Sequence, residues 1–136
     1  MKVVVSKAQD FPPDSRRIVR VGNREIGVFR VGDRFYGVRN RCPHQGGPLC
    51  KGRTFPLVVS AQPGEIELRE SMLVMCPWHG WQYDMETGEA YAPGDPRVKS
   101  YPVSVEPGCD VLDGGASLVA ETFTVSVEDE YVVIDA

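Results

Sequence analysis

The chain has 136 residues and a formal net charge of −4, from 19 acidic and 15 basic side chains. A length of this order suits a single domain, and an acidic balance argues against nonspecific binding to nucleic acid. No apolar run approaches the roughly 20 residues that a membrane-spanning helix needs, so we expect no contact with a membrane.

The N-terminal stretch does not have the composition of an export signal. Residues 1–11 contain a run of three valines and no longer apolar segment, which argues against a secretory signal peptide. Arg16 and Arg17 form an arginine pair, but a further charge, Arg20, follows closely and argues against a twin-arginine signal. We therefore predict a cytoplasmic protein.

Short apolar runs separated by turn residues predict an all-β chain. Gly22-Asn23 and Gly32-Asp33 have the composition of hairpin turns. No stretch keeps a helical period over three turns, so helices should be few and short. The strands predicted before the first cysteine are residues 2–5, 17–21, 25–31 and 34–38.

Two short motifs then combine a cysteine with a histidine. Residues 42–44 are Cys-Pro-His, residues 76–79 are Cys-Pro-Trp-His, and together they contain both histidines of the chain. Thiolate and imidazole suit zinc or an iron–sulfur cluster and do not suit magnesium or calcium. The adjacent prolines and glycines are typical of tight loops on which side chains converge. The predicted metal ligands are Cys42, His44, Cys76 and His79.

Residues 51–75 separate the two motifs and predict an extra hairpin. Its strands would be residues 57–60 and 65–69, with a turn at Pro63-Gly64. We interpret it as a surface excursion without a role of its own, and a partner-docking element is the alternative. Later strands are predicted at 72–75, 99–106, 122–127 and 131–134, with an irregular loop at 107–120 and a turn at 128–130.

Four ligands of this kind could hold either of two metal centres. One is a Rieske-type [2Fe–2S] cluster, in which two histidines replace two cysteines on one iron. The other is a structural zinc ion in tetrahedral coordination. Zinc sites more often pair two cysteines closely and then two histidines closely, so the arrangement and the length of the flanking motifs favour the cluster.

The segments CPHQGGPL (residues 42–49) and CPWHGWQYDxxTG (residues 76–88) resemble Rieske-type ferredoxins and the Rieske domains of ring-hydroxylating oxygenases. The resemblance extends from about residue 20 to about residue 105. It implies the Rieske fold for residues 1–136 as one domain, an antiparallel β-sandwich with a small cluster-binding subdomain at about residues 40–96. Residues 42–50 and 76–84 would be the two cluster-binding loops.

The resemblance also implies a role for each ligand. Cys42 and Cys76 would bind the inner iron through sulfur. His44 and His79 would each bind the outer iron, nearer to solvent, through one ring nitrogen. Residues 92–96 match the position of a proline-containing third loop that covers the cluster in this family.

By the same resemblance, the protein would carry electrons and catalyse no reaction of its own. Catalytic oxygenase subunits of the family have a second, larger domain with a mononuclear iron, for which this chain has neither the length nor further histidines. We expect a one-electron carrier between a flavin-dependent reductase and a terminal oxygenase. The alternatives are a small subunit of a larger reductase, such as nitrite reductase, and a zinc-stabilised interaction module.

The residues around the motifs predict a low reduction potential within the range of about −150 to +300 mV that Rieske centres span. High-potential members have an additional disulfide between the loops and a serine and a tyrosine that donate hydrogen bonds to sulfur. Here Trp78 stands in place of one of those cysteines and Trp81 in place of the serine, while Tyr83 matches the tyrosine.

The remaining cysteines should not be ligands. Cys50 follows the first motif too closely to replace a ligand, and a buried, inert thiol is expected there. A Cys50–Cys109 disulfide is disfavoured in a reducing cytosol.

Aromatic and basic residues flank both motifs. Trp78 and Trp81 would shield the cluster, contribute to a docking face, or both. Basic residues around the first motif would steer an acidic partner or would simply be solvated. They are Arg39, Arg41, Lys51 and Arg53.

Overall fold

The computed structural model describes residues 2–43, 45–59, 63–64, 67–92, 94–113, 117–118 and 128–136. Within these ranges one α-helix, α1, spans Gly108–Asp113, and short 3-10 turns span Ala8–Asp10 and Leu49–Lys51. The all-β prediction with few and short helices is confirmed. Strands β1 to β11 span, in order, Lys2–Lys7, Ser15–Val21, Arg24–Val31, Arg34–Arg39, Arg53–Val59, Glu67–Met75, Gln82–Asp84, Ser100–Tyr101, Val103–Pro107, Ser117–Leu118 and Glu130–Asp135.

The chain divides into two compact units, of which the first contains the residues up to Gly37 and those from Tyr101 on. Its two four-stranded sheets have the strand orders β10-β1-β11-β9 and β2-β3-β4-β8. Because apolar side chains of both sheets share one core, this unit is the predicted β-sandwich. The core residues are Val3, Val5, Phe11, Val19, Val21, Ile26, Val28, Tyr101, Val132 and Ile134.

The strand β1 is buried on both faces. Val3 and Val5 belong to the sandwich core, whereas Val4 packs with Val111, Tyr131 and Val133 in a second cluster. Side chains alternate between the two faces of a strand, so a run of three valines suits a strand that is covered on both sides.

The predicted irregular loop at 107–120 is wrong in part, because residues Gly108–Asp113 form α1. Ser117–Leu118 form β10, which pairs in parallel with β1. A six-residue helix is too short to show a periodic pattern in the sequence. Burial of Val111 against the sheet gives α1 the tertiary packing on which short helices depend.

The two predicted hairpin turns are confirmed. Val21 pairs with Arg24 across Gly22-Asn23, and Gly22 has a φ of 63°, which glycine adopts without steric cost. The single strand predicted at 99–106 is instead two strands, β8 and β9. Pro102 separates them because it has no N–H to contribute to a ladder.

The second unit, Val38–Ser100, contains a three-stranded antiparallel sheet in the order β5-β6-β7. The extra hairpin is confirmed: β5 and β6 pair from Arg53 with Met75 to Val59 with Glu67. The strand predicted separately at 72–75 is the second half of β6. Residues 60–62 and 65–66, between these strands, lie outside the described residues.

Of the predicted C-terminal hairpin, the structure describes only the second strand. Strand β11 contains the predicted strand at 131–134 and pairs with β1 and β9, whereas residues 122–127 lie outside the described residues. In the part of the chain that the structure describes, no helix combines the length and apolarity needed to cross a membrane.

Candidate metal centre

Both cysteine motifs lie in loops at one end of the β5–β6 hairpin. Cys76 directly follows Met75, the last residue of β6, and Met75 pairs with Arg53, the first residue of β5. The loop that contains Cys42 leads through a 3-10 turn into that same end of β5. The register of the hairpin therefore brings the two loops together, although they are far apart in sequence.

The two loops have the same backbone hydrogen-bond pattern. In each, the cysteine amide donates to the carbonyl five residues later, and the amide four residues later donates back to the cysteine carbonyl. These bonds are Cys42 N to Gly47 O (2.9 Å), Gly46 N to Cys42 O (2.7 Å), Cys76 N to Trp81 O (2.7 Å) and Gly80 N to Cys76 O (2.9 Å).

A glycine at the same place closes both loops. Gly46 and Gly80 have φ values of 75° and 74°, in the left-handed region that other residues enter at a cost. Both motifs therefore share the signature Cys-Pro-x-x-Gly, which the spacing of the histidines alone does not reveal. The histidine stands two residues after Cys42 but three after Cys76.

The two cysteine sulfurs lie side by side and are buried. Cys42 and Cys76 are each 2% exposed, and both are free thiols. Burial raises the pKa of the Cys76 thiol, the neighbouring Cys42 sulfur raises it further, and the backbone amides of Trp78 and His79 oppose this by donating to the sulfur. Adjacent sulfurs with amide donors are a favourable site for a soft metal.

Tyr83 directs its hydroxyl at the first loop. It is 1% exposed in β7, and its oxygen lies 3.5 Å from Cys42 Sγ, within hydrogen-bond distance for sulfur. Burial raises the pKa of Tyr83, and the Cys42 sulfur adds to the effect, so the phenol keeps its proton at neutral pH. The tyrosine of the high-potential pattern is therefore within reach to donate to a Cys42 thiolate, in addition to the amides.

His79 lies at the surface among aromatic side chains. It lines a groove of about 270 Å³ together with Trp81 and Tyr91. Tyr91 and Trp78 are 61% and 55% exposed, which is high for large apolar side chains. An exposed imidazole within an apolar rim suits a weak and short-lived protein contact.

Trp78 also connects the two loops. A Cβ atom placed on Gly47 would lie 2.8 Å from the Trp78 ring, so the indole packs directly on the backbone of the first loop. The shielding role predicted for Trp78 thus has a structural basis, because the indole covers a buried part of that loop.

The structure describes three of the four predicted ligands. It brings Cys42 and Cys76 together and places His79 at the surface of the second loop, whereas His44 lies outside the described residues. Pro93 of the predicted third loop also lies outside them. Among the described residues, no three His, Cys, Asp or Glu side chains are close enough to hold one metal ion.

A two-iron cluster does not need a group of three ligands around one ion, because the cysteines and the histidines bind different irons. The paired buried sulfurs, with amide and phenol donors around them, fit the cysteine side of a Rieske cluster. The exposed imidazole of His79 suits the solvent-near side.

The predicted burial of Cys50 is confirmed. It is fully buried, its Sγ lies 3.2 Å from the Val38 carbonyl oxygen, and its amide donates to Asn40 Oδ1 at 2.9 Å. Cys109 is an exposed free thiol in α1. Neither cysteine forms a disulfide.

Comparison with known proteins identifies the family of this chain. The Rieske [2Fe-2S] domain family matches residues 1–102. The ferredoxin component of an alkene monooxygenase system of Xanthobacter autotrophicus is 28% identical over 106 residues, which are 78% of this chain and 75% of that protein.

Two solved structures share the fold over nearly the whole chain. A chain of the complex of reduced oxygenase and oxidized ferredoxin in carbazole 1,9a-dioxygenase gives a TM-score of 0.57 at 25% identity, over 96% of this chain and 91% of its own. A putative NADH-dependent nitrite reductase small subunit from Mycobacterium tuberculosis gives 0.63 at 15% identity, over 100% and 96%, and at this identity it shows the fold alone. The family, the fold class and the cofactor expected from the motifs are thus confirmed. This chain belongs to the Rieske [2Fe-2S] domain family, and its cofactor is a Rieske-type [2Fe–2S] cluster.

Proposed function

We propose that this protein is a one-electron carrier whose cluster is held by Cys42, His44, Cys76 and His79. The observation that carries the proposal is the pair of loops of equal backbone geometry, which present two adjacent buried thiols. The chain would act as one Rieske domain, with residues 42–50 and 76–84 as its cluster-binding loops. It would catalyse no substrate reaction itself.

The proposed partners are a flavin-dependent reductase as electron donor and a terminal oxygenase as electron acceptor. The support is the sequence similarity to a ferredoxin component of a monooxygenase system and the structural similarity to a chain of a complex of a ferredoxin and an oxygenase. Within this proposal, the exposed His79 and its aromatic rim form the surface from which the electron leaves.

Different side chains would bind the cluster and exclude water from it. When bound, the cluster accepts and releases one electron. Cys42 and Cys76 would supply the negative charge that holds iron, and the Tyr83 hydroxyl and backbone amides would offset that charge. Trp78 would exclude water from one side by packing on Gly47.

Replacement of Tyr83 by phenylalanine should lower the reduction potential of the protein by about 40 mV. A hydrogen bond to sulfur favours the reduced, more negative state, and a difference of about 1 kcal/mol corresponds to about 40 mV for one electron. The starting potential should lie near the lower end of the Rieske range, about −150 mV, because Trp81 occupies the serine position. A redox titration followed by visible absorption measures both values.

Tyr36→Phe is the matched control for this titration. Tyr36 is also a buried tyrosine, and within the described structure its hydroxyl has no hydrogen-bond partner. Its loss should leave the potential unchanged. Equal potentials in the wild type and the Tyr83→Phe variant would show that the Tyr83 hydroxyl does not donate to Cys42 Sγ when the cluster is bound.

Visible absorption and low-temperature EPR of anaerobically purified protein, before and after dithionite, test the proposed function. A brown oxidised form and a rhombic reduced signal with a low average g-value are expected for a histidine-ligated [2Fe–2S] cluster. Single variants His44→Cys and His79→Cys should shift the reduced signal toward higher g-values if each histidine is a ligand. A colourless protein with one zinc and no iron after reconstitution would overturn the proposal.

A small subunit of a larger reductase is the second candidate function. A putative nitrite reductase small subunit has the same fold over the whole chain, so the architecture is compatible with this alternative. Mild purification from native cells separates the two functions. A free carrier elutes alone and is reduced by a flavoprotein, whereas a subunit elutes with a much larger reductase chain.

We further propose a cytoplasmic location. Cys50 and Cys109, which are not proposed ligands, do not form a disulfide, which suits a reducing compartment. Fractionation of the native cells, with the protein detected by antibody, tests this.

A further inference from the structure

A groove beside the first cysteine loop is lined by four basic side chains. It has a volume of about 380 Å³, and none of its described lining residues is acidic. The amide of Arg39 donates to the Lys99 carbonyl at 2.9 Å and holds the two walls together. The lining residues are Arg39, Arg41, Pro43, Arg97, Val98 and Lys99.

The positive charges of Arg39 and Arg41 are not neutralised within the described structure. Among the residues that the structure describes, no carboxylate pairs with Arg39 or Arg41. Arg97 pairs with Glu89 at 2.7 Å, but these side chains are 68% and 57% exposed, and exposed pairs are weak. The groove is therefore a positive patch on a chain whose net charge is −4.

The basic residues that line the groove are only in part those that the sequence analysis grouped around the first motif. Arg39 and Arg41 line the groove as expected, but Lys51 and Arg53 do not. Arg97 and Lys99 take their places, because the segment before β8 runs beside Arg39. Proximity in sequence thus identified two of the four basic residues of the groove.

The groove lies next to the first of the two proposed cluster-binding loops. Pro43, one of its lining residues, directly follows Cys42. The Arg41 guanidinium rests on the same loop, since a Cβ atom on Gly46 would lie 3.5 Å from Arg41 Nε. A partner bound in the groove would therefore contact the loop that holds Cys42.

We propose that this groove docks a carboxylate-rich surface of the redox partner beside the cluster-binding loops. The inference rests on the proposed electron-carrier function. Guanidinium groups bind carboxylates in a planar, two-bond geometry, and Arg39, Arg41 and Arg97 supply three of them. A local positive field on an acidic protein also orients an acidic partner before contact and raises its rate of association.

Retention on immobilised poly-L-glutamate at low salt tests the groove without using the cluster. The wild-type protein should be retained in spite of its net negative charge and should elute as salt is raised. Arg41→Gln should elute at clearly lower salt, and Arg41→Lys should restore most of the retention. Arg20→Gln removes the same charge from an exposed position of β2 and is the matched control. Equal elution of Arg41→Gln and Arg20→Gln would overturn the proposal.

Oxidation of the dithionite-reduced protein by small ions tests the position of the groove relative to the redox site. One electron passes to the anion ferricyanide, giving ferrocyanide, or to the cation hexaamminecobalt(III). We expect ferricyanide oxidation at low ionic strength to be about three- to five-fold slower in Arg41→Gln than in the wild type, and unchanged in Arg20→Gln. Salt should slow the wild-type reaction with ferricyanide and reduce the difference between variants.

The outcomes of this second test separate the inference from the function on which it rests. A protein with no reducible chromophore contradicts the electron-carrier function, and the column result still reports on the groove. A reducible protein whose ferricyanide rate is the same in Arg41→Gln and Arg20→Gln contradicts the docking inference alone. Faster oxidation by the cation than by the anion in the wild type, after correction for driving force, also contradicts it.

Discussion

Replacement of Cys76 by serine is expected to abolish binding of the [2Fe–2S] cluster. The hydroxyl of serine is a harder and far less acidic donor than a thiol, so it is a poor ligand for iron that prefers sulfur. The Cys76 sulfur also lies beside Cys42, with the amides of Trp78 and His79 donating to it, as a thiolate ligand of the cluster requires. Iron content, the visible bands and the reduced EPR signal should all fall to background after anaerobic reconstitution.

The folded protein should also lose stability in Cys76→Ser. Metal binding and folding are coupled in small metal-binding domains, so loss of the cluster removes a contribution from the folded state. The midpoint of thermal unfolding, measured by circular dichroism under argon, should fall markedly below that of the wild type. Apoprotein prepared from the wild type should unfold close to the temperature of the variant.

Cys50→Ser is the matched control for the ligand variant. Cys50 is a buried thiol of the same unit, and its Sγ contacts the Val38 carbonyl, to which a serine hydroxyl can also donate. We expect full cluster content and an unchanged EPR signal. Cluster retention in Cys76→Ser, or cluster loss in Cys50→Ser alone, would show that the ligands have been assigned wrongly.

Replacement of Gly52 by alanine should destabilise the protein by about 3 kcal/mol, because core positions without space tolerate added atoms poorly. Gly52 is buried between the 3-10 turn and β5, and an added Cβ atom would collide with the Met75 carbonyl. Met75 immediately precedes Cys76, so the collision forces apart the end of the hairpin from which both loops emerge. Cluster content should fall along with stability.

Gly94→Ala provides the comparison. Gly94 has a φ of 88°, but nothing lies within 4 Å of the position that its Cβ would occupy. Alanine there carries only the cost of the left-handed backbone, about 1 kcal/mol. Urea unfolding of both variants and iron analysis measure the difference. A Gly52→Ala variant with the stability and iron content of Gly94→Ala would contradict the close approach of Met75.

Local features of the chain were predictable from the sequence. Two-residue turns such as Gly22-Asn23 depend on the conformational freedom of glycine at one position, and the neighbouring strands follow from short β-branched runs. The hairpin between the two motifs was visible for the same reason. The α-helix α1 was missed, because six residues have no helical period and its stability comes from packing on β1.

The candidate site was predictable in its chemistry and not in its arrangement. A cysteine and a histidine in each of two Pro- and Gly-containing motifs limit the metal to a few kinds, since ligand type decides which ions bind. The orientation of the Tyr83 hydroxyl toward Cys42 depends on a partner 41 residues away in sequence. The sequence could show that a tyrosine was present, but the direction of its hydroxyl follows from the pairing of β6 with β7.

The family, the residue types of the candidate ligands and most of the strands thus follow from the sequence, because these depend on the identity and spacing of neighbouring residues. The tertiary structure alone decided which distant groups meet. The register of Arg53 with Met75 joins the two loops, and the segment beside Arg39 brings Arg97 and Lys99 into the basic groove. Such contacts are set by strand pairing across long separations, for which a local pattern contains no information.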